Sequence, residues 1–283
     1  MPPVSSSSSA QAARQAIADR LREIRLDAGL TKRELARAAG WHESKCSRIE
    51  NAKTSLSDSD IRAWCEVCGT ADQVPDLIAA SRIADNMYLE WRRMERGGMR
   101  RLQESYVPLY ERTRVFRWYH STLIPGLLQT RDYSHAVLST IRAFRGLPDD
   151  AAEAADARLA RSHVLHEGNH RFSFLVEEAV LRYQIASTDA MAAQLGHLLM
   201  AMTLPSVALG VIPFTTARGA LPREGFHMYD DEVVHVELLS AQVSVTAPSE
   251  IAEYAKAFQE LSEHAVYGAD ARKLITAALD ALG

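Results

Sequence analysis

Residues 30–53, LTKRELARAAGWHESKCSRIENAK, decide how the N-terminal part of the chain folds. Thr31 is a favourable N-cap and Glu34, three positions later, completes a capping box, so a helix starts here and runs through Leu35, Ala36 and Ala39. Gly40 stops it. A second helix follows the turn and starts near His42, with Trp41 and Cys46 or Ile49 turned inward and Glu43, Ser44, Ser47 and Arg48 turned outward. Two short helices joined by a Gly-containing turn make a helix-turn-helix, whose second helix has the width of the major groove of DNA.

The flanks complete a small helical module. Upstream, Ile17, Leu21, Ile24 and Leu26 recur at helical spacing, and Ala28-Gly29 closes that helix. Downstream, Ser57 or Asp58 caps a fourth helix with Ile61, Trp64, Cys65 and Cys68 on its inner side. Roughly 55 residues around one core is a marginal size by surface-to-volume scaling.

Thr31, Glu34-Leu35-Ala36, Gly40, Ser47, Ile49-Glu50 and Lys53 together resemble the helix-turn-helix of the Cro/cI-type (XRE) repressors over 17–69. The candidate DNA-binding residues are Thr31, Lys32, Arg33, His42, Glu43, Ser44, Lys45, Ser47, Arg48, Lys53 and Thr54. Glu43 can accept from cytosine N4 or hold a neighbouring side chain, Ser44 can bond several bases, and Arg48 suits guanine O6 and N7. Lys32 resembles the position from which related repressors contact phosphate or the outermost base. Lys53 and the amides around Thr54 would meet the opposite strand's backbone and fix register, while Lys45 can serve either purpose. One such helix reads few base pairs, so specific binding implies a homodimer on a near-palindrome with half-sites about one helical turn apart.

A chain of 283 residues has room for two domains. No apolar run approaches the length that spans a bilayer, so no membrane segment is expected. The opening MPPVSSSSSAQAA lacks the basic start and apolar core of a secretory signal and reads as a disordered tail, 1–13. Cys46, Cys65 and Cys68, an odd number, fit a reduced, cytoplasmic protein. The net charge of -4 is unevenly spread: 14–70 holds 11 Lys and Arg against 9 Asp and Glu, and the remainder holds 21 against 27. Only the first domain is mildly basic, with Lys32, Arg33, Lys45, Arg48 and Lys53 on its proposed DNA side.

Residues 71–105 read as a helical linker, with Val74, Leu77, Ile78 and Ile83 continuing through Met87, Trp91 and Met94 to a break at Gly97-Gly98. Its arginines, Arg82, Arg92, Arg93, Arg96, Arg100 and Arg101, either reach DNA phosphates or decorate a solvated face. A helix carrying Val115, Trp118 and Tyr119 is expected to stop near Ile124-Pro125-Gly126, after which Thr130 caps a helix with Tyr133, Val137 and Ile141 inward. Strands are expected at 171–176 and 207–214 and on both sides of a turn at Asp230-Asp231, with helices from Met191, over 250–264 and over 270–282. The fold expected is mainly α with a small sheet: an all-α helix-turn-helix domain at 14–70 and a C-terminal α+β regulatory or dimerisation domain at 106–283.

The IPGLLQT string at 124–130, the aromatic run before it, Asp132-Tyr133 after it and the Glu177-Glu178 helix start resemble the C-terminal domain of WhiJ-like, antitoxin-like actinobacterial regulators. That resemblance implies a small acidic partner protein encoded nearby that alters DNA affinity.

Other chemistry is weakly signalled. Cys65-x-x-Cys68 lacks the second pair that zinc needs, and His163, His166 and His170 sit at a helix end running into a polar turn, so no metal is expected. Glu177 and Glu178, adjacent in sequence, point about 100 degrees apart on a helix and do not make a facing acid-base pair. No phosphate-loop, dinucleotide, nucleophile-elbow or zinc-protease motif is present; no enzyme activity and no cofactor are expected. Phe116, Trp118, Tyr119, Phe144, Phe214, Phe226 and Tyr229 either line a small-molecule cavity or pack as core. The readings are therefore a DNA-binding transcriptional regulator, a regulator that senses a small-molecule effector, or an adaptor whose helix-turn-helix no longer binds DNA, the last kept open by the acidic Glu43.

Overall fold

The computed structural model describes residues 6–54, 56–83, 88–219 and 224–283, with side chains described for all of these except 6–14, 82–83, 88–90 and 92–93. Contacts within the chain divide it into two units, 1–89 with 243–251 and 90–242 with 252–283.

The first unit opens with α1 (Ser6–Asp27), α2 (Lys32–Ala38), α3 (Glu43–Glu50), α4 (Asp58–Cys68) and α5 (Val74–Ile83). Capping fixes their starts. Thr31 accepts from the Glu34 amide at 3.2 Å while its own amide donates to Glu34 Oε2 at 2.8 Å, the reciprocal box read from the sequence. Ser57 and Asp60 form a second box ahead of α4. Gly40 takes φ +69 between α2 and α3, a left-handed conformation that side chains with a Cβ resist.

Ile17, Leu21, Ile24, Leu35, Cys46, Ile49, Ile61 and Trp64 form the first core, closed by Val74, Leu77 and Ile78 of α5. Burial of each Leu or Ile there contributes about 1.5–3 kcal/mol. The Trp64 indole N–H donates to the Leu21 carbonyl at 3.0 Å. Leu26, expected in the α1 stripe, is instead 56% exposed, and Arg25 takes the buried place. α1 starts at Ser6, inside the stretch 1–13 expected to be a disordered tail; Ala10, Gln11, Ala12 and Ala13 favour helix and carry it through.

The following elements are β1 (Tyr88–Glu90), α6 (Trp91–Met94), α7 (Met99–Ser105), α8 (Val107–Arg112), β2 (Val115–His120), α9 (Arg131–Arg145), α10 (Ala151–Ala160), β3 (Arg171–Glu177), α11 (Glu178–Arg182), α12 (Thr188–Ala201), β4 (Val207–Ile212), β5 (Phe226–Tyr229), β6 (Val233–Glu237), β7 (Ala241–Val245), α13 (Pro248–Glu263) and α14 (Gly268–Asp280). The expected linker is thereby split: α5 belongs to the first core and Met99 of α7 to the second unit. Met87, and the side chains of Arg82, Arg92 and Arg93, lie outside the described residues.

In the second unit the strands pair in the order β6-β5-β2-β3-β4. β2, β3 and β4 run parallel, and β5 and β6 are antiparallel additions. The helix expected through Val115, Trp118 and Tyr119 is strand β2 instead. VFRWYH is, apart from Arg117, β-branched or aromatic, and a central strand buried on both faces at Trp118-Tyr119 shows no clean alternation. The rest follows the expected pattern: chain reversal at Asp230, which takes φ +50, strands on both sides of it, and helices around a core that includes Phe116, Trp118, Phe174, Val176, Leu195 and Ile275. The chain is mainly α with a small sheet, and no helix among the described residues is long and apolar enough to cross a membrane.

Candidate functional site

The geometry of α3 follows from which of its sides is buried. Cys46, Ile49 and Glu50 face the core, Glu43, Ser44 and Arg48 are exposed, and Ser47 is half-buried. His42 is the N-cap: its Nδ1 accepts from the Ser44 amide at 3.3 Å and lies 2.8 Å from Ser44 Oγ, so the two side chains are tied together at the head of the helix. Thr31 is occupied by its capping box, and its backbone and hydroxyl donors hold the Glu34 carboxyl below the usual range.

The candidate cations divide into two sets. Lys32 Nζ lies 3.2 Å from Glu50 Oε2, and Lys45 Nζ lies 2.6 Å from Asp60 Oδ1 and 4.3 Å from the Trp41 ring centre. Arg33, Arg48 and Lys53 are exposed and make no ion pair among the described residues, and Thr54 is exposed beside them in sequence. The residue that sequence reading left without a role is Glu50. It is 4% exposed, receives Arg25 Nε at 2.5 Å, and so joins α1 to the end of α3. Arg25 also donates to the Leu30 carbonyl at 2.6 Å.

A second site lies wholly within the second unit, a cavity of about 550 Å³ between the sheet and the surrounding helices. Trp118, His120, His227 and Tyr229 come from the sheet, Gln103 and Tyr106 from α7 and its end, Tyr110 from α8, and Arg158 and Arg161 from α10 and its end. Ile124, Gly126 and Gln129 of the IPGLLQT string form another part of its wall. Gln129 braces that string: its Nε2 donates to the Ile124 carbonyl at 2.7 Å, and its Oε1 accepts from Ser134 and Arg158 at 2.9 and 2.8 Å.

Two family models match. Residues 16–77 match that of a helix-turn-helix domain, and residues 103–277 match that of a domain of unknown function, DUF5753. The chain belongs to the DUF5753 family. No curated protein and no solved structure matches it. The helix-turn-helix match carries the class of a DNA-binding module, and the cavity lies mostly in the DUF5753 part, with Trp91, Glu95, Met99 and Leu102 added from just before it.

Within the DUF5753 domain the aromatic residues separate into different places. Trp118 and Tyr229 line the cavity, and Phe116 stacks behind them on Phe172 at 4.5 Å. Tyr119 packs near Phe226 and donates to Glu177 at 2.8 Å. Phe144 and Phe214, expected with the cluster, are 69% and 60% exposed. Phe144 sits outside the α9 stripe of Tyr133, Val137 and Leu138, and Phe214 follows the end of β4.

His120 and His227 meet ring to ring, Nε2 to Nε2 at 3.0 Å, and His227 lies 4.4 Å from the Trp118 ring. Burial, then the other histidine, pulls His120 down to about 3 against the opposing pull of Glu237; burial, then His235 and Arg161, pulls His227 to about 3 as well. Both are neutral at pH 7, one donating and the other accepting.

The remaining sequence candidates are structurally engaged. Glu177 accepts from Arg218 at 2.8 Å and Glu178 from Arg182 at 3.0 Å. His163 and His170 are bonded to the carbonyls of Ala160 and Thr113. Burial raises the thiols of Cys65 and Cys68, the latter to about 11.

Sequence reading missed Arg158 and Arg161. A signal was present: Ala151, Ala154 and Ala155 form the buried stripe of α10, and Arg158 continues it at helical spacing. An arginine in line with a core stripe marks a buried charge.

Proposed function

We propose that this chain is a sequence-specific DNA-binding transcriptional regulator, with α3 in the major groove. The observation that carries the reading is the division of α3 into a core side of Cys46 and Ile49 and an exposed side of Glu43, Ser44 and Arg48, within a matched helix-turn-helix domain. Arg48 would read guanine, Glu43 would accept from cytosine, and Arg33, Lys53 and the backbone around Thr54 would hold phosphates. Lys32 and Lys45, already paired, would act chiefly by positioning α2 and α3.

In this reading the regulator is a homodimer on a near-palindromic operator, and its likeness to WhiJ-like regulators adds a small acidic partner protein acting through the C-terminal domain. Arg48→Ala tests it in competition binding on DNA from upstream of the chain's own gene. Selectivity for that DNA over a scrambled duplex should fall by about 1–3 kcal/mol. Unchanged binding would favour the adaptor reading, in which the helix-turn-helix meets protein.

A second reading, a regulator that senses a small effector, is favoured by the cavity of about 550 Å³, which falls in the size range of small-molecule sites.

A further inference from the structure

Cavity polarity identifies what such an effector would carry. Arg161 is 6% exposed, yet among the described residues its guanidinium has a single long bond, from Nη1 to the Gln103 carbonyl at 3.4 Å, and its Nε has no partner. Arg158 gives Nε to Gln103 Oε1 at 2.9 Å and Nη1 to Gln129 Oε1 at 2.8 Å, both neutral acceptors. Among the described residues neither arginine forms an ion pair with a carboxylate. Of the two acidic residues lining the cavity, Glu95 is bonded to Arg145, and Glu237 is exposed and favours the charge of Arg158 only from a distance, without an ion pair to it. Two adjacent guanidiniums in a low-dielectric wall are costly unless an anion joins them, and a planar fork matches carboxylate or phosphate geometry.

The fold is cut to let these groups in. A Cβ on Gly126 would stand 3.3 Å from Arg161 Nη2, so glycine there leaves room for the guanidinium. Beside it Arg161 lies 5.2 Å from the Tyr106 ring centre and 5.1 Å from that of Tyr110. Trp118, His227 and Tyr229 continue the wall as aromatic rings, and the histidines there are uncharged at pH 7. An uncharged aromatic wall next to an unsatisfied cationic fork selects a ring that bears an oxyanion.

We propose that the DUF5753 cavity binds a planar aromatic small molecule carrying a carboxylate or phosphate, with the anionic group held by Arg158 and Arg161 and the ring against Tyr106, Tyr110 and Trp118. The inference deepens the effector-sensing reading. It is tested without DNA, so its failure is separable from failure of the DNA-binding reading.

The test is thermal unfolding and calorimetric titration of the full chain with indole-3-acetate and phenyl phosphate, against indole-3-acetamide, phenol and inorganic phosphate. The ring-bearing anions should raise Tm by roughly 5 °C or more at about a hundredfold excess over Kd, and the ring-bearing neutral compounds and ring-free phosphate at the same concentrations should not. Carboxylate and phosphate are distinguished by which probe binds more tightly. Arg161→Met should abolish the response while leaving the free protein's Tm unchanged or higher, because it removes a buried charge that lacks a counter-ion; Arg158→Met serves the same purpose if the first variant does not fold. Three results would overturn the proposal: no Tm or heat response to either anionic aromatic, an equal response to the amide, or a full response retained in both arginine variants.

Discussion

Arg25 and Glu50 meet at 2.5 Å inside the N-terminal core, 5% and 4% exposed, and bind the last turn of α1 to the last turn of α3. With Lys32 Nζ 3.2 Å from the same carboxylate, Glu50 also ties in the first residue of α2. Helix α3 is held by charge at one end and by Cys46 and Ile49 along its length. Removing one partner leaves the other buried and uncompensated, which costs about 3–5 kcal/mol. Glu50→Ala should therefore lower the stability of the first unit by that amount, read by urea unfolding through the buried Trp64; a change below about 1 kcal/mol would mean that the pair contributes little.

Ala52 follows the C-cap Asn51 with φ +50, a region where an L side chain is strained by about 1–2 kcal/mol and glycine is not. Ala52→Gly should raise stability by about 1 kcal/mol despite the added chain entropy, without loss of DNA affinity. A fall in the urea midpoint would show that the strain is absorbed elsewhere.

His120 and His227 give the second unit an acid-side weakness. Their folded values of about 3 lie below the ordinary 6.5, so the unfolded chain takes up protons that the folded chain refuses. The stability this contributes is complete above about pH 6.5 and is lost as pH falls towards 3. At pH 5 the loss reaches up to about 2 kcal/mol for each histidine. Urea midpoints measured from pH 7.5 to 4.5 should decline, and the paired variant His120→Gln with His227→Gln should flatten that slope; an equal slope in the variant would assign the acid sensitivity to other groups.

Local signals made the first unit legible. Thr31 with Glu34, Gly40, and the apolar stripes of Ile17, Leu21 and Ile24 and of Ile61, Trp64 and Cys65 act within one or two turns of chain, and the structure repeats them. Pairings across distance were not legible. Nothing around Arg25 marks Glu50 as its partner 25 residues later, and Leu26 took its place in the expected stripe because apolar periodicity assigns no inward position to a charge. The helix expected at β2 has a related cause: β3 and β5 flank it on both sides and Phe116, Trp118 and Tyr119 are all buried, so the period-2 alternation breaks at Trp118-Tyr119. Of the cavity, the aromatic wall of Trp118 and Tyr229 was legible as one of two readings; its polar end was not, because it comes from α7, α10 and the IPGLLQT turn, whose meeting is a tertiary event.

The pairing of Lys45 with Asp60 separates its role from that of Arg48. Lys45→Ala should lower stability by about 0.5–1 kcal/mol and weaken binding to all DNA sequences alike, since it removes a partly exposed ion pair and a positioning contact. A selective loss against one base pair would instead make Lys45 a reader.

The most direct measurement is equilibrium binding of the full chain to the duplex upstream of its own gene and to a scrambled duplex of equal length, across a salt series. The account predicts preference for the former by about a thousandfold or more, with affinity for both falling steeply as salt rises. Equal affinity for the two duplexes at every salt concentration, or no binding to either, would contradict it.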